Sequence, residues 1–255
     1  MLLEGRSIVV TGGNSGIGKA IVLAMAAEGA NVVVDYVAHE DATDRLVAEV
    51  EQAGGTAVGV EADITRSADL HRMIGTAVDR FGRLDVLVNN AGMETRQSLL
   101  ETTEEDYDRV MVVNMRSAFF AAQAAAKRFI EQGGGGLVLN VSSVHEDWPM
   151  PGNSPYCLAK GGMRMLTRNA GVELAPHGIT VVGVGPGAIA TPINKETLAD
   201  PEKTKALNAA IPAGRVGTSE EVAGLVVWLA SAKAAYVTSS TYFIDGGIMQ
   251  GSVGL

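Results

Sequence analysis

The chain is predicted to fold as a doubly wound α/β domain, one parallel sheet with helices on both faces. Short apolar runs alternate with stretches of helical periodicity from Ser7–Val10 to Thr241–Ile244, and repeated strand–helix units imply parallel strands. The first run passes through a glycine-rich turn, Thr11 to Gly18, straight into a helix. Small polar or turn residues follow four of the later runs, at the strand ends where sheets of this kind bind ligands.

Ser7–Val10 reads as the first strand, and Lys19–Glu28 as a helix with Ile17, Ile21, Ala24 and Met25 on one face, ending near Gly29. Asn31–Tyr36 closes a βαβ unit. The turn between them is a candidate cradle for a dinucleotide: Gly12, Gly16 and Gly18 permit close backbone approach. With Asn14, Ser15 and Ile17 they surround a helix N-terminus whose free N–H groups and dipole favour a pyrophosphate. A helix over Asp41–Ala53, a strand over Thr56–Glu61, a helix over Ser67–Phe81 capped by Ser67, and an apolar strand over Leu84–Val88 come next. A single long helix is expected over Glu105–Ile130, then a strand at Leu137–Val141, a helix at Pro155–Leu174 and a strand at Thr180–Val184. A helix at Glu220–Ala230 precedes the last strand. The glycines at 133–136 read as a helix-to-strand loop, so no domain boundary appears in the 255 residues.

With 47% hydrophobic residues, the chain has ample Ala, Val, Leu and Ile for a core between helices and sheet, as in a soluble globular protein. A formal charge of −9 argues against a general nucleic-acid binder, which needs clustered Lys and Arg. Ser7–Thr11 is too short for a signal or membrane segment. The lone Cys157 cannot form an internal disulfide, so a reducing cytoplasm is expected; it reads as packing. Four scattered histidines give no metal-ligand spacing, and no metal is expected.

Tyr156 and Lys160, four apart on a predicted helix, share a face. A free phenol titrates near about 10 and is a poor base at neutral pH unless a nearby cation favours the phenolate. Lys160 is placed to supply that charge. Around the same crevice stand Asp63 and Ile64 after the third strand, Asn89, Asn90, Ala91 and Gly92 after the fourth, Ser142 and Ser143 after the fifth, and Pro186 and Gly187 after the sixth.

These residues resemble the short-chain dehydrogenase/reductase family nearly end to end. The motifs are the turn TGGNSGIG, the segment NNAG at Asn89–Gly92, the helix asparagine Asn114, the serine Ser143, the pair Tyr156 and Lys160, and the PG turn at Pro186 and Gly187. The resemblance implies a single Rossmann-type domain with seven parallel strands, a homotetramer, and hydride transfer between a nicotinamide and a hydroxyl or carbonyl carbon. It implies a catalytic tetrad in which Tyr156 exchanges the proton, Lys160 lowers its pKa and binds the nicotinamide ribose, Ser143 holds the substrate oxygen and Asn114 positions a water. Cofactor contacts are expected from the glycine turn, Asp35, Tyr36, Asp63, Ile64, Asn90, Ala91, Gly92, Tyr156, Lys160, Pro186, Gly187, Ile189 and Thr191. The carboxylate that discriminates NAD from NADP in the family falls one place after Asp35, where this chain has Tyr36; Val37 and Ala38 offer no Arg for the extra phosphate, and Lys19 and His39 are basic groups that can still help. Use of both cofactors with some preference for NAD is expected. The segment 188–212, with Pro192, Pro201 and Pro212, is expected to form a mobile substrate lid.

Within the family, the segments at Ser142–Glu146, Gly185–Asn194 and Tyr236–Gly247 look like those of glucose-oxidising members. Glu94, His145 and Asn194 are then candidates to bond sugar hydroxyls while Ser143 and Tyr156 address the anomeric one. Asp147–Pro155 departs from that pattern. Reduction of a small ketone or 3-oxoacyl group by the same tetrad is the alternative; a dinucleotide-binding redox sensor or scaffold without turnover is the non-enzymatic one.

Overall fold

A computed structural model describes residues 1–251. In chain order the elements are β1 Ser7–Val10, α1 Gly16–Ala27, β2 Asn31–Tyr36, α2 Glu40–Gln52, β3 Thr56–Glu61, α3 Ser67–Phe81 and β4 Val86–Asn89. These are followed by α4 Glu104–Met111, α5 Ser117–Gln132, β5 Gly136–Val141, α6 Ser154–Leu174 and β6 Ile179–Pro186. The last are α7 Lys195–Leu198, α8 Pro201–Ala210, α9 Ser219–Ala230 and β7 Ser240–Ile244. The seven strands form one sheet in the order β3-β2-β1-β4-β5-β6-β7, every neighbouring pair parallel. The order reverses between β1 and β4, which opens a crevice at their carboxyl ends.

Because strand side chains alternate, each central strand feeds two cores. Ile8, Val10, Val32, Val34, Val86 and Val88 pack on one face with Ile21 and Met25 of α1 and Val222 and Val226 of α9. Val9, Val33 and Leu87 pack on the other with Met73 and Ala77 of α3 and Ala125 and Phe129 of α5. The apolar runs of the sequence are therefore strands buried on both sides.

Three differences from the sequence reading are local. The expected helix over 105–130 is continuous in its backbone but carries a π turn at Val112–Arg116, which holds Asn114 and divides it into α4 and α5. Ser67 is the first residue of α3 and not its cap; Asp69 turns back instead, its Oδ2 accepting from the Asp63 N–H at 3.0 Å. The fourth strand starts at Val86, two residues late; Asp85 just before it still bonds both neighbours through its backbone, donating to the Ser7 carbonyl and accepting from the Leu137 N–H, while its carboxylate accepts from the Ser7 N–H at 2.8 Å and pairs with Arg83.

Candidate active site

The glycine turn is tied to the loop after β4 by a small polar knot. Buried Thr11 accepts from the N–H groups of Asn90 and Ala91 through Oγ1, both at 2.9 Å, and Asn90 Nδ2 donates back to the carbonyls of Thr11 and Gly12 at 2.9 and 3.1 Å. A Cβ on Gly18 would lie 2.2 Å from the Gly12 oxygen and 2.6 Å from Asn90 Nδ2, so no larger residue fits there. Ser15 precedes α1 in extended conformation and makes no side-chain cap bond, which leaves the first-turn N–H groups open to an anion. Asn14 closes the far side, its Nδ2 donating to the Ala38 carbonyl at 2.8 Å and to Thr43 Oγ1 at 3.1 Å. Pro192 and Thr191 stand over Gly16, so the segment after β6 roofs this turn. The turn has the shape and donors that a dinucleotide pyrophosphate requires.

Asp35 is placed differently from the expectation. The alternation of β2 turns it to the α3 face beneath the turn, 2% exposed, with Oδ2 accepting from the Gly12 N–H at 3.1 Å and Oδ1 unpartnered. Burial pushes this acid up to about 7, against the opposing Gly12 hydrogen bond and the Arg72 charge. It braces the turn from below and does not line the rim. Tyr36 is at the rim, its phenol raised first by burial and then by Glu40, Glu61 and Asp44. Asp63 caps its own turn, Oδ1 accepting from the Thr65 N–H and hydroxyl. Ile64 packs against the α3 core. Beyond β6, the Gly187 N–H donates to the Ile244 carbonyl, and Ile189 is buried and bridged to Gly217.

The reactive groups gather at the ends of β5 and α6. Ser143 is buried at the end of β5, its Oγ accepting from the His145 N–H at 3.2 Å and lying beside the Tyr156 phenol. Lys160 is buried, 5.5 Å by Nζ from the Tyr156 ring centre, and donates to the Val141 carbonyl at 2.8 Å. Burial lowers this ammonium to about 8, opposed by the charge of Glu146. Tyr156 keeps part of its surface open, yet the protein packed around the phenol pushes it up to about 12; Ser143 counters this and the charge of Glu94 adds to it. Lys160 is not among the groups that set this shift; its ammonium is engaged with the Val141 carbonyl. Asn114 is fully buried in the π turn, and its amide clamps the loop after β4: Oδ1 accepts from the Met93 N–H at 3.1 Å, and Nδ2 donates to the carbonyls of Met93 and Val110 at 2.8 and 2.9 Å.

Of the substrate candidates, two sit at Tyr156. The His145 ring lies 6.3 Å from the Tyr156 ring and stacks on Trp148. Glu94 is paired with Arg96 at 2.9 Å and accepts from Asn153 Nδ2 at 3.1 Å. Asn194 is committed locally, donating to the Ile189 carbonyl at 2.8 Å.

Residues 12–249 match the family model described as enoyl-(acyl carrier protein) reductase. The chain is 40% identical to a 3beta-hydroxysteroid dehydrogenase 1 of Eggerthella lenta over 96% of its length and 94% of that protein's. It is 40% identical to glucose 1-dehydrogenase 2 of Bacillus subtilis over 96% and 95%. To an L-rhamnose 1-dehydrogenase (NAD(P)(+)) of Sphingomonas it is 37% identical over 97% of each. The solved structure of a short-chain dehydrogenase/reductase from Serratia marcescens superposes with a TM-score of 0.91 at 37% identity, covering 98% of this chain and 100% of that one. The chain belongs to the short-chain dehydrogenase/reductase family.

As a short-chain dehydrogenase/reductase it is an oxidoreductase of a small molecule, and the family's cofactor is a nicotinamide dinucleotide. Two residues of its site escaped the sequence reading. Thr11 stood inside the glycine motif, but only the fold brings its hydroxyl under the loop after β4. Asn153 lay in the stretch 147–155 that departs from the glucose-oxidising pattern, and no spacing rule links it to Glu94, 59 residues away.

Proposed function

We propose that this short-chain dehydrogenase/reductase oxidises the anomeric hydroxyl of an aldose, glucose or a close relative, to the lactone, using NAD or NADP with a preference for NAD. The observation that carries the substrate class is the polar wall around Tyr156: Glu94, held from behind by buried Asn153, and His145 stand near the phenol and Ser143, a set suited to ring hydroxyls. Two relatives named as sugar 1-dehydrogenases support it.

In this reading Ser143 holds the reacting oxygen and Tyr156 takes its proton. Lys160 swings from the Val141 carbonyl to hold the phenolate and a ribose hydroxyl, and Asn114 fixes the loop that shapes the pocket and its water. Gly12, Asn14, Ser15, Gly16, Ile17 and Gly18 hold the pyrophosphate, with Asn90, Ala91, Gly92, Asp63, Ile64, Pro186, Gly187, Ile189 and Thr191 along the crevice. The nicotinamide, when bound, accepts the hydride and brings a positive charge that favours phenolate. At the second ribose, Glu40, Asp44 and Glu61 surround Tyr36, and a 2′-phosphate would meet three carboxylates. The segment 188–212 acts as the lid: α8 has no buried residue, while Ile189 and Ile211 anchor its two roots. Exposed Tyr107 and Phe119 on α4 and α5, and Tyr242 and Phe243 on edge strand β7, are faces for assembly into a homotetramer. Among the described residues no helix is long and apolar enough to cross a membrane, and cytoplasmic work is part of the proposal.

A second reading is oxidation of a bulkier alicyclic alcohol, favoured by Trp148, 39% exposed beside His145, and by the steroid dehydrogenase among the relatives. The test is a panel of D-glucose, other aldoses, alicyclic and secondary alcohols, small ketones and 3-oxoacyl esters with both cofactors. Aldose oxidation is expected to give the highest kcat/KM; efficient turnover of the other classes without any aldose activity overturns the assignment.

A further inference from the structure

We infer that Asn153 is a positioning residue for substrate specificity: it gives up its role as helix cap to hold Glu94 at the mouth of the Tyr156 pocket. The inference deepens the sugar reading and rests on it.

Asn153 occupies the N-cap of α6, where an asparagine side chain ordinarily accepts a hydrogen bond from a first-turn N–H. The second helical residue is Pro155, which has no N–H, so the donor within reach of a cap is that of Tyr156 itself. No such bond is made. Asn153 is 1% exposed, its Nδ2 donates to Glu94 Oε2 at 3.1 Å, and its Oδ1 has no partner among the described residues. The unpartnered oxygen is the one that would make the cap, and leaving it buried without that bond destabilises the fold, so the geometry favours the bond to Glu94 over the local one.

Glu94 receives a second donor, Arg96 Nε at 2.9 Å on Oε1, so each of its oxygens is held. Its charge works against the phenolate of Tyr156. A carboxylate clamped there is a liability for proton abstraction. It is useful as an acceptor for a hydroxyl of the bound substrate, and the clamp sets where that hydroxyl lies relative to the reacting carbon. Discrimination among polyhydroxylated substrates is then controlled by Asn153 acting through Glu94.

The experiment is a double-mutant cycle with Asn153→Ser and Glu94→Ala in the full chain, read as kcat and KM for the best aldose at saturating cofactor. Asn153→Ser restores a capping hydroxyl and removes the clamp. It is expected to raise KM about tenfold, the loss of about one hydrogen bond, with kcat changed less than about threefold. Added to Glu94→Ala it is expected to raise KM less than about twofold further, because the carboxylate it positions is already gone. A cap or packing role predicts additive effects and a fall in kcat with stability. Additive KM changes, or an unchanged KM in Asn153→Ser while the parent oxidises aldoses, overturn this inference and leave the sugar reading standing. Absence of aldose oxidation by the parent overturns both. Should Asn153→Ser fold poorly, Asn153→Asp serves, since it keeps the shape and repels Glu94; the same KM criterion applies.

Discussion

Replacing Asp35 by Asn makes the support of the glycine turn measurable as stability. The folded acid keeps its proton up to about 7, against an ordinary value of 3.8. Between those limits the folded chain binds one proton more than the unfolded chain, so the contribution is fully present below 3.8 and is lost as pH rises through about 7. At about 1.4 kcal/mol per pH unit, the loss is of order 4 kcal/mol by neutral pH. Asn keeps an oxygen for the Gly12 N–H but puts an NH2 where Oδ1 has no partner, which costs about 1–3 kcal/mol. Asp35→Asn should therefore be about 1–3 kcal/mol more stable than the parent near pH 8 and no more stable near pH 5. Urea unfolding followed by circular dichroism, at fixed protein concentration across that range, gives both values. A variant less stable than the parent near pH 8, with the same pH slope, refutes the buried-acid account.

Gly18→Ala forces a Cβ to within 2.2 Å of the Gly12 carbonyl and should weaken NAD binding about tenfold or more in a fluorescence titration; a Kd within twofold of the parent's contradicts the role of the turn. Because the phenol is pushed up to about 12, kcat/KM for oxidation should rise with pH between about 6 and 9. A flat profile in steady-state assays contradicts Tyr156 as the base. Hydrogen exchange over 188–212 should be faster than in the sheet and slow when cofactor and substrate bind; exchange as slow as the sheet's and unaffected by ligands rules out a lid. Kinetic constants are expected to favour NAD over NADP, and strict NADP dependence would show that the carboxylates around Tyr36 do not govern the choice.

Much of the fold is legible because its signals are local. Doubly buried strands such as Val32–Val34 must be continuous apolar runs, and the glycine turn announces the helix that follows it. The π turn was invisible: Val112–Arg116 continues the helical pattern, and the extra residue is stabilised by the clamp from Asn114 to Met93, which only tertiary structure supplies. Asp35 was misplaced because spacing locates a residue at a strand end, whereas the pleat decides whether it faces the rim or the core. The state of the Tyr156 and Lys160 pair is equally hidden in the sequence, since the direction of each shift follows from burial, with Ser143 and Glu94 acting on the phenol and Glu146 on the ammonium. Position in the chain is enough to bring Glu94 and His145 to Tyr156; Asn153, which joins the first of them to α6, depends on a contact between distant loops.

The most direct test of the central claim is formation of reduced nicotinamide from D-glucose and NAD by the parent and by Tyr156→Phe, each with its cofactor affinity measured alongside. Removing one ionisable oxygen while keeping the ring should leave NAD binding intact and lower turnover by a factor of at least about 10²–10⁴, the usual span for a general acid–base. Turnover by Tyr156→Phe within tenfold of the parent would contradict the assignment of this site.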